Sequence, residues 1–397
     1  MLFLGVGSTV ALARGLGPDG RGTYALAMTA ATIGLVVVNF GFSTANTYFA
    51  SREAALLPSL VSNTFGLAGT VGVLGLSLLG LTHAVGIRVI PIPPVLLLLV
   101  LAWLPLGIVF IQLQSLLLSL GNIRQFNVAE AGWQLLSVVC VVGLWVTKAL
   151  TPVTAFAVVL ISLTAGGFYV FVQLNGTWSL LPKPSPSLFA RMLPFAARSW
   201  AISIAAIALV RLDVFLVASE LGIREVGFYA VAITICEVIM ILPATIGGLL
   251  LPRLTAMLSD AERWEATRRV MAVTLVLLSI VCVLAAAAAR PGIGLLFGPA
   301  YLPSTTPLYW LLPGVLLLGL NTVLVQHFLA VGMPKGVLVG QAVAVGFNLG
   351  LAFVLLRPLG LAGAGLASSI AYSGALAVTA GYAVRWGRIG RMKTESI

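Results

Sequence analysis

Arg211, Asp213 and Glu237 are ionisable side chains set inside long apolar runs, where a charge is costly and therefore marks a candidate functional site. A guanidinium carries planar donors that match phosphate oxygens, so Arg211 suits contact with a phosphorylated group. It equally suits an ion pair with Glu237 or membership of a switching network. Counted inward from the polar turn near residues 220–227, Arg211 and Glu237 lie at similar depth, about 12 to 14 Å at 1.5 Å per residue. They can meet across neighbouring antiparallel segments. Arg211 and Asp213, two residues apart, point in different directions on a helix and do not pair directly. Asp213 and Glu237 are also the carboxylates able to carry a coupled proton. Asn39, Asn46, Gln112, Gln114 and His327 add hydrogen-bonding groups to otherwise apolar runs. Such groups either line a wet cavity and meet ligand hydroxyls, or join helices by bonds worth about 0.6 kcal/mol on average in membranes. Arg14 and Arg21 flank a turn rich in glycine and are suited either to lipid headgroups or to a cavity mouth.

The elements holding these groups are membrane helices. Of 397 residues, 60% are hydrophobic and 8% charged, against about 25% charged in an ordinary soluble domain. The stretches 54–87, 89–123, 149–182 and 291–334 contain no Lys, Arg, Asp or Glu. Each exceeds the roughly 20 apolar residues that span a bilayer. They are continuously apolar rather than alternating, which excludes a β-barrel and predicts an all-α polytopic membrane protein. Apolar runs between Gly, Pro and charge clusters predict about twelve transmembrane helices, centred near residues 8, 36, 69, 107, 138, 164, 207, 239, 280, 320, 346 and 373. The first, Leu2 to Ala13, is short. Ala11-Leu12-Ala13 loosely imitates a signal-cleavage site, but no basic stretch precedes it, and a short or truncated first membrane helix is the preferred reading.

The net charge of +11 has an explanation in topology rather than in nucleic acid, which is not expected as a partner. With the N-terminus inside, the loop cations of the cytoplasmic side outnumber those of the outer side by about two to one, so both termini are expected in the cytoplasm. Trp178, Trp264 and Trp386 then fall near inner boundaries, and Trp145 and Trp310 near outer ones. Cys140, Cys236 and Cys282 sit in apolar segments as small hydrophobes.

The chain also echoes itself. Leu16-Gly17, Gly22, Tyr24-Ala25 and Ala27 recur at Leu221-Gly222, Gly227, Tyr229-Ala230 and Ala232, and Gly121 with Arg124 has a counterpart in Gly332 with Lys335. The echoes fall between helices one and two and between helices four and five of each half. An even number of helices per half makes the repeat parallel. The expected organisation is a six-helix lobe over 1–175, a cytoplasmic linker over 176–198, a second six-helix lobe over 199–385 and a cytoplasmic tail over 386–397. The linker carries Pro182, Pro184, Pro186 and Pro194 and ends as an interfacial helix; residues 259–269 form a second amphipathic piece.

The run Ala13-Arg14-Gly15-Leu16-Gly17-Pro18-Asp19-Gly20-Arg21-Gly22-Thr23-Tyr24-Ala25-Leu26-Ala27, followed by Asn39-Phe40-Gly41-Phe42, resembles the opening of bacterial polysaccharide flippases. Val210-Arg211-Leu212-Asp213, Val226-Gly227-Phe228-Tyr229, Leu296-Phe297-Gly298 and Gly360-Leu361-Ala362-Gly363-Ala364-Gly365 resemble that family's second half. The resemblance covers nearly the whole chain and departs at the start, where the family has a full first helix preceded by a basic residue. It implies membership of the multidrug/oligosaccharidyl-lipid/polysaccharide exporter superfamily, which also holds lipid II flippases and multidrug antiporters. It further implies export of an undecaprenyl-diphosphate-linked oligosaccharide from the inner to the outer leaflet of a bacterial inner membrane, by alternating access of two lobes around a central cavity. Membrane lipids, a polysaccharide polymerase and glycosyltransferases are the partners it implies. By analogy with a sodium site of related lipid II flippases, Asp213, Asn348 and Ser368 form a candidate set of oxygen donors for a hard cation. Ala352 stands where those relatives carry a second acid, so sodium coupling, proton coupling and no ion coupling all stay open.

No cofactor is expected beyond such an ion. The chain has no phosphate-binding loop, no catalytic Ser and His pattern and no metal-spaced Cys and His set, so it reads as a transporter rather than an enzyme. Two other readings remain: a cation-coupled multidrug or small-molecule antiporter of the same fold, and a membrane polysaccharide polymerase or ligase. The second is disfavoured by short outer connections, the longest of which, 290–307, carries one charge.

Overall fold

The computed structural model describes residues 2–85, 91–175, 184–257, 259–331 and 335–394. It is built of α-helices joined by tight turns and two short 3-10 segments, with no strand among the described residues. Contacts divide the chain into two compact units, Met1–Ile207 and Ala208–Ile397.

The first unit opens with α1 (Leu2–Asn39), which is two helical arms rather than one. Gly17 leaves helical conformation at φ 65° and ψ 177°, and Pro18 starts the second arm, a position where its missing N–H is not needed. The loop expected between the first two spans is therefore a break of a single residue. A second break follows at Phe40 and Gly41, both left-handed at φ 48° and 73°, before the short α2 (Phe42–Arg52). The remaining helices of this unit are α3 (Leu57–Val85), α4 (Pro94–Ser119), α5 (Ile123–Val146) and α6 (Pro152–Asn175), followed by α7 (Pro186–Arg211). Pro93 and Pro94 fix the start of α4. At its end, the amide of Asn122 donates to the carbonyl of Leu117 and that of Gly121 to Leu118, with Gly121 at φ 74°. This is the glycine-closed helix terminus that satisfies the last carbonyls.

The apolar core of the first unit lies around α4 and α6, with Leu113, Leu116, Leu117, Phe156 and Val170 sealed from the surface. The start of α7 joins it through Leu188, Met192 and Ala196. Phe42 stacks on Phe189 and Tyr48 on Phe195, with centroids 4.3 and 4.5 Å apart. Residues 184–198, expected to belong to a linker and interfacial helix, thus include the first turns of α7. Residues 176–183 of that linker lie outside the described residues.

In the second unit, α7 breaks at Leu212 and α8 (Asp213–Glu220) resumes the path. It continues with α9 (Ile223–Ala256), α10 (Asp260–Leu296), α11 (Thr305–Ala330), α12 (Lys335–Leu359) and α13 (Leu361–Thr394). Gly222, the counterpart of Gly17 in the sequence echo, precedes α9 at φ 98° and ψ 172°, so the repeated glycines share an extended left-handed conformation closed to most side chains. Gly332, the partner of Gly121 in the other echo, lies outside the described residues. Helix α10 starts from Ser259, whose hydroxyl accepts from the Glu262 amide at 3.5 Å, the bond of a serine N-cap. The expected tail continues α13 as far as Thr394, and 395–397 are outside the described residues.

Eleven helices among the described residues are long and apolar enough to cross a membrane. The first, Gly5–Asn39, holds both of the first two expected segments, and every other expected segment has one helix. The chain is an all-α, multi-span membrane protein. Helices α3 and α10 present rows of exposed aliphatic side chains, including Val73, Leu74, Val276 and Val283, the surface that hydrocarbon covers. Helices α9, α11 and α13 supply the buried centre of the second unit.

Candidate functional site

The break at Leu212 aims two adjacent charges at different partners. Asp213, the first residue of α8, is buried at 2% exposure. Its Oδ2 accepts a hydrogen bond from the Tyr229 hydroxyl of α9 at 2.5 Å and from the Ser368 hydroxyl of α13 at 3.1 Å. Its Oδ1 is buried and has no hydrogen-bond partner among the described residues. Asn348 of α12 is equally buried; its Nδ2 donates to the carbonyl of Leu209 at 3.0 Å, one turn before Asp213, while its Oδ1 likewise has no partner among the described residues. Tyr372 is buried one turn beyond Ser368. Of the sequence-predicted residues, Asp213 and Ser368 are thus joined across α8 and α13, while Asn348 of α12 bonds the backbone one turn before Asp213. Leaving a buried acceptor unsatisfied costs about 1–3 kcal/mol, and the oxygens of Asp213 and Asn348 are of the kind a hard cation could use. Ala352, also sealed in the interior, adds no oxygen.

Arg211 and Glu237 form an ion pair between α7 and α9, the pairing that their equal depth predicts. Both remain partly accessible, at 29% and 51% of their side-chain surface. His327 on α11 is buried against α10: its Nδ1 lies 3.0 Å from the Thr267 hydroxyl, and the Trp264 ring meets it edge-on.

The amides of the first unit hold one another. Gln112 Nε2 donates to Asn39 Oδ1 at 2.9 Å, while Gln112 Oε1 accepts from Thr64 at 2.8 Å and from Asn46 Nδ2 at 3.3 Å. Asn39 Nδ2 completes the chain by donating to Ser43 at 3.1 Å. This network brings α1, α2, α3 and α4 together on both sides of the Phe40–Gly41 break. Gln114 faces the other way, donating to Glu130 Oε2 at 2.9 Å, and Gln134 donates to Oε1 of the same carboxylate at 2.7 Å. Arg14 lies apart from all of these, at a pocket described below.

Two residues of these clusters escaped sequence reasoning. Glu130 is the lone acid in the apolar run of α5, and the rule that singled out Asp213 applies to it as well. Tyr229 stands in the sequence echo and in the segment that carries the family resemblance, but nothing in its spacing indicates that its hydroxyl reaches Asp213.

A family model described as polysaccharide biosynthesis protein matches residues 11–306. Comparison with curated protein sequences returns no significant match. Among solved structures, the chain is similar to an inward-facing multidrug resistance MATE family transporter of the MOP superfamily. The TM-score is 0.75 at 14% identity, covering 100% of this chain and 95% of that one. It is also similar to the lipid II flippase MurJ in an inward closed conformation, with a TM-score of 0.72 at 14% identity, covering 97% of this chain and 85% of that one. An outward-facing multidrug resistance MATE family transporter follows at 0.64 and 16% identity, with coverage of 99% and 94%.

Proposed function

The chain belongs to the polysaccharide biosynthesis protein family, and from that premise we propose that it is a flippase carrying an undecaprenyl-diphosphate-linked oligosaccharide across a bacterial inner membrane by alternating access. The observation that carries this reading is the pairing of a polysaccharide-family sequence with a fold similar to a lipid II flippase and to multidrug exporters. A diphosphate and a glycan cannot enter hydrocarbon without polar partners. Direction of transport is from the inner to the outer leaflet, with both termini cytoplasmic. Glycosyltransferases supply the cargo and a polymerase receives it.

Asp213, Asn348 and Ser368 are the residues that would hold a coupling sodium ion, through the two undonated oxygens and the serine hydroxyl. Such an ion would supply charge compensation for the buried carboxylate. Proton binding at Asp213 or Glu237 is the alternative source of coupling. Arg211, Arg14, Asn39, Asn46, Gln112, Gln114 and His327 are the proposed contributors to cargo handling, the amides by bonding sugar hydroxyls or by holding the helices that do. A second reading, a cation-coupled antiporter of small molecules, is supported by the likeness to MATE transporters.

Deletion of the chromosomal gene, followed by measurement of lipid-linked intermediates on each leaflet, separates the two. Accumulation on the inner leaflet, reversed by the plasmid-borne protein, is the expected result. An unaltered leaflet distribution together with raised drug sensitivity would favour the antiporter.

A further inference from the structure

A pocket of about 270 Å³ opens in the first unit between the end of the first arm of α1 and the turn after α5, lined by Arg14, Gly15, Trp145, Val146, Lys148 and Leu150. Two of its six lining residues are cations and none is an acid. Its construction uses two costly features. Lys148 occupies the left-handed residue that closes α5, at φ 57°. The amide of Ala149 donates to Leu144 at 2.9 Å and that of Lys148 to Trp145 at 3.1 Å, the same terminus that Gly121 closes for α4. A residue with a Cβ pays about 1 kcal/mol or more for this conformation, yet here it is a lysine that lines the pocket. Gly15 makes the second feature: a Cβ there would stand 2.5 Å from Leu150 Cδ2 and 2.9 Å from Trp145 Cδ1. A side chain at this position would have to displace the Leu150 methyl and the edge of the indole, which here lie against the first arm.

We propose that this pocket binds the phosphate of a membrane lipid headgroup, with Arg14 and Lys148 as its cations and Trp145 anchoring the site at the interface. A guanidinium and an ammonium together match phosphate oxygens in two different ways, one as a planar fork and one as a point charge. The volume lies near the lower end of ligand pockets, about 300–1,000 Å³, which admits a phosphorylated headgroup and leaves an oligosaccharide outside. Trp145 ends a span, where an indole sits at headgroup level. Two lipids carry this chemistry, the polyprenyl diphosphate of the cargo and an anionic phospholipid of the bilayer. The choice of a lipid phosphate rests on the transport reading; the pocket geometry does not.

The test is native mass spectrometry of the full-length protein in detergent, titrated with farnesyl diphosphate, with phosphatidylglycerol and with diacylglycerol as phosphate-free control. Arg14→Gln/Lys148→Asn is compared with wild type, with Arg14→Lys and with Lys148→Asn alone. Asparagine enters left-handed conformation readily, so the single Lys148→Asn variant keeps its fold while losing the charge. The double variant is expected to bind at least tenfold more weakly, the single Lys148→Asn about threefold, and Arg14→Lys, which keeps the charge and loses the planar fork, more weakly than wild type but more tightly than the double variant. Loss confined to farnesyl diphosphate assigns the site to the cargo; loss for phosphatidylglycerol as well assigns it to anionic lipids at large, and both support the proposal. Equal binding of both anionic lipids by wild type and by folded Lys148→Asn and double variants overturns it. Because binding is read without transport, an unaltered leaflet distribution in the deletion strain removes the flippase reading while leaving this result intact.

Discussion

The Tyr229 hydroxyl donates to Asp213 Oδ2 at 2.5 Å and leaves Oδ1 of the same buried carboxylate without a donor. One oxygen is therefore fixed by α9 and α13, and the other is available to a cation. If sodium drives transport, Asp213→Asn should remove its effect, because the amide keeps the shape and discards the charge. In proteoliposomes, stimulation of lipid-linked sugar flipping by a sodium gradient is expected to fall at least tenfold, and Asn348→Leu to weaken it several-fold by removing the second undonated oxygen. Equal stimulation in wild type and Asp213→Asn would exclude a sodium role for this carboxylate. Dependence on a proton gradient alone would transfer the coupling to a protonation step.

The Arg211–Glu237 pair separates a structural role from one in handling phosphate. Both side chains are partly accessible, yet they lie on membrane-spanning helices, where a charge without its counter-charge is costly. Glu237→Gln is accordingly expected to lower thermal stability by more than the roughly 0–1 kcal/mol of a water-exposed pair. If Arg211 serves only Glu237, Arg211→Ala and Glu237→Gln should reduce flipping to the same extent and the double variant no further. If Arg211 meets the diphosphate, Arg211→Ala should abolish export in a folded protein while Glu237→Gln keeps it. Full export by Arg211→Ala removes the phosphate role.

Much of this architecture can be read from residue order, because membrane helices are dictated by long apolar runs and their ends by Gly, Pro and charge. The echo between Leu16-Gly17 and Leu221-Gly222 marks two turns, and Gly17 and Gly222 adopt the same conformation. Asp213, Asn348 and Ser368 are a set that the family resemblance implies, and the hydrogen bond from Ser368 to Asp213 joins two of them. What spacing does not convey is the aim of side chains across helices far apart in sequence. Tyr229 reaches Asp213 only because α8 and α9 pack together, and Gln112 meets Asn39 across 73 residues. At Lys148 nothing in the residue type announces the left-handed backbone it adopts. The break at Phe40–Gly41 was hidden for a different reason: Asn39-Phe40-Gly41-Phe42 lies within an apolar stretch whose composition is compatible with a continuous helix.

That break makes Gly41 hard to replace. Its φ of 73° disfavours any Cβ, and a Cβ built there would lie 2.2 Å from the carbonyl oxygen of Ala196 and 2.9 Å from the amide nitrogen of Trp200. Both obstacles are backbone atoms of α7 and cannot swing aside. Gly41→Ala combines conformational strain of about 1 kcal/mol with displacement of a packed helix, and overpacking alone costs about 1–3 kcal/mol. Thermal unfolding in detergent should show a loss of at least about 2 kcal/mol, whereas Gly222→Ala, with open space around it, should lose only the conformational part. Equal losses at the two glycines would show that contact with α7 contributes nothing.

Gln112 is the member of the amide network on which the others depend. It donates to Asn39 and accepts from Asn46 and Thr64, so Gln112→Leu removes three bonds at once while preserving much of the volume. At about 0.6 kcal/mol for an average interhelical bond in a membrane, the direct loss is about 2 kcal/mol. Unpaired polar atoms on Asn39 and Asn46 enlarge it unless those side chains find new partners. Asn46→Ala removes only the longest of the three, at 3.3 Å, and should cost less than half as much. Flipping by both variants distinguishes a clamp from a cargo contact: a clamp predicts that activity follows stability across the pair, and a cargo contact predicts a loss of transport at Gln112 that exceeds its loss of stability. Restoration of transport to Gln112→Leu at reduced temperature, where the weakened fold is held, would assign the network to the clamp and remove these amides from the handling of sugar.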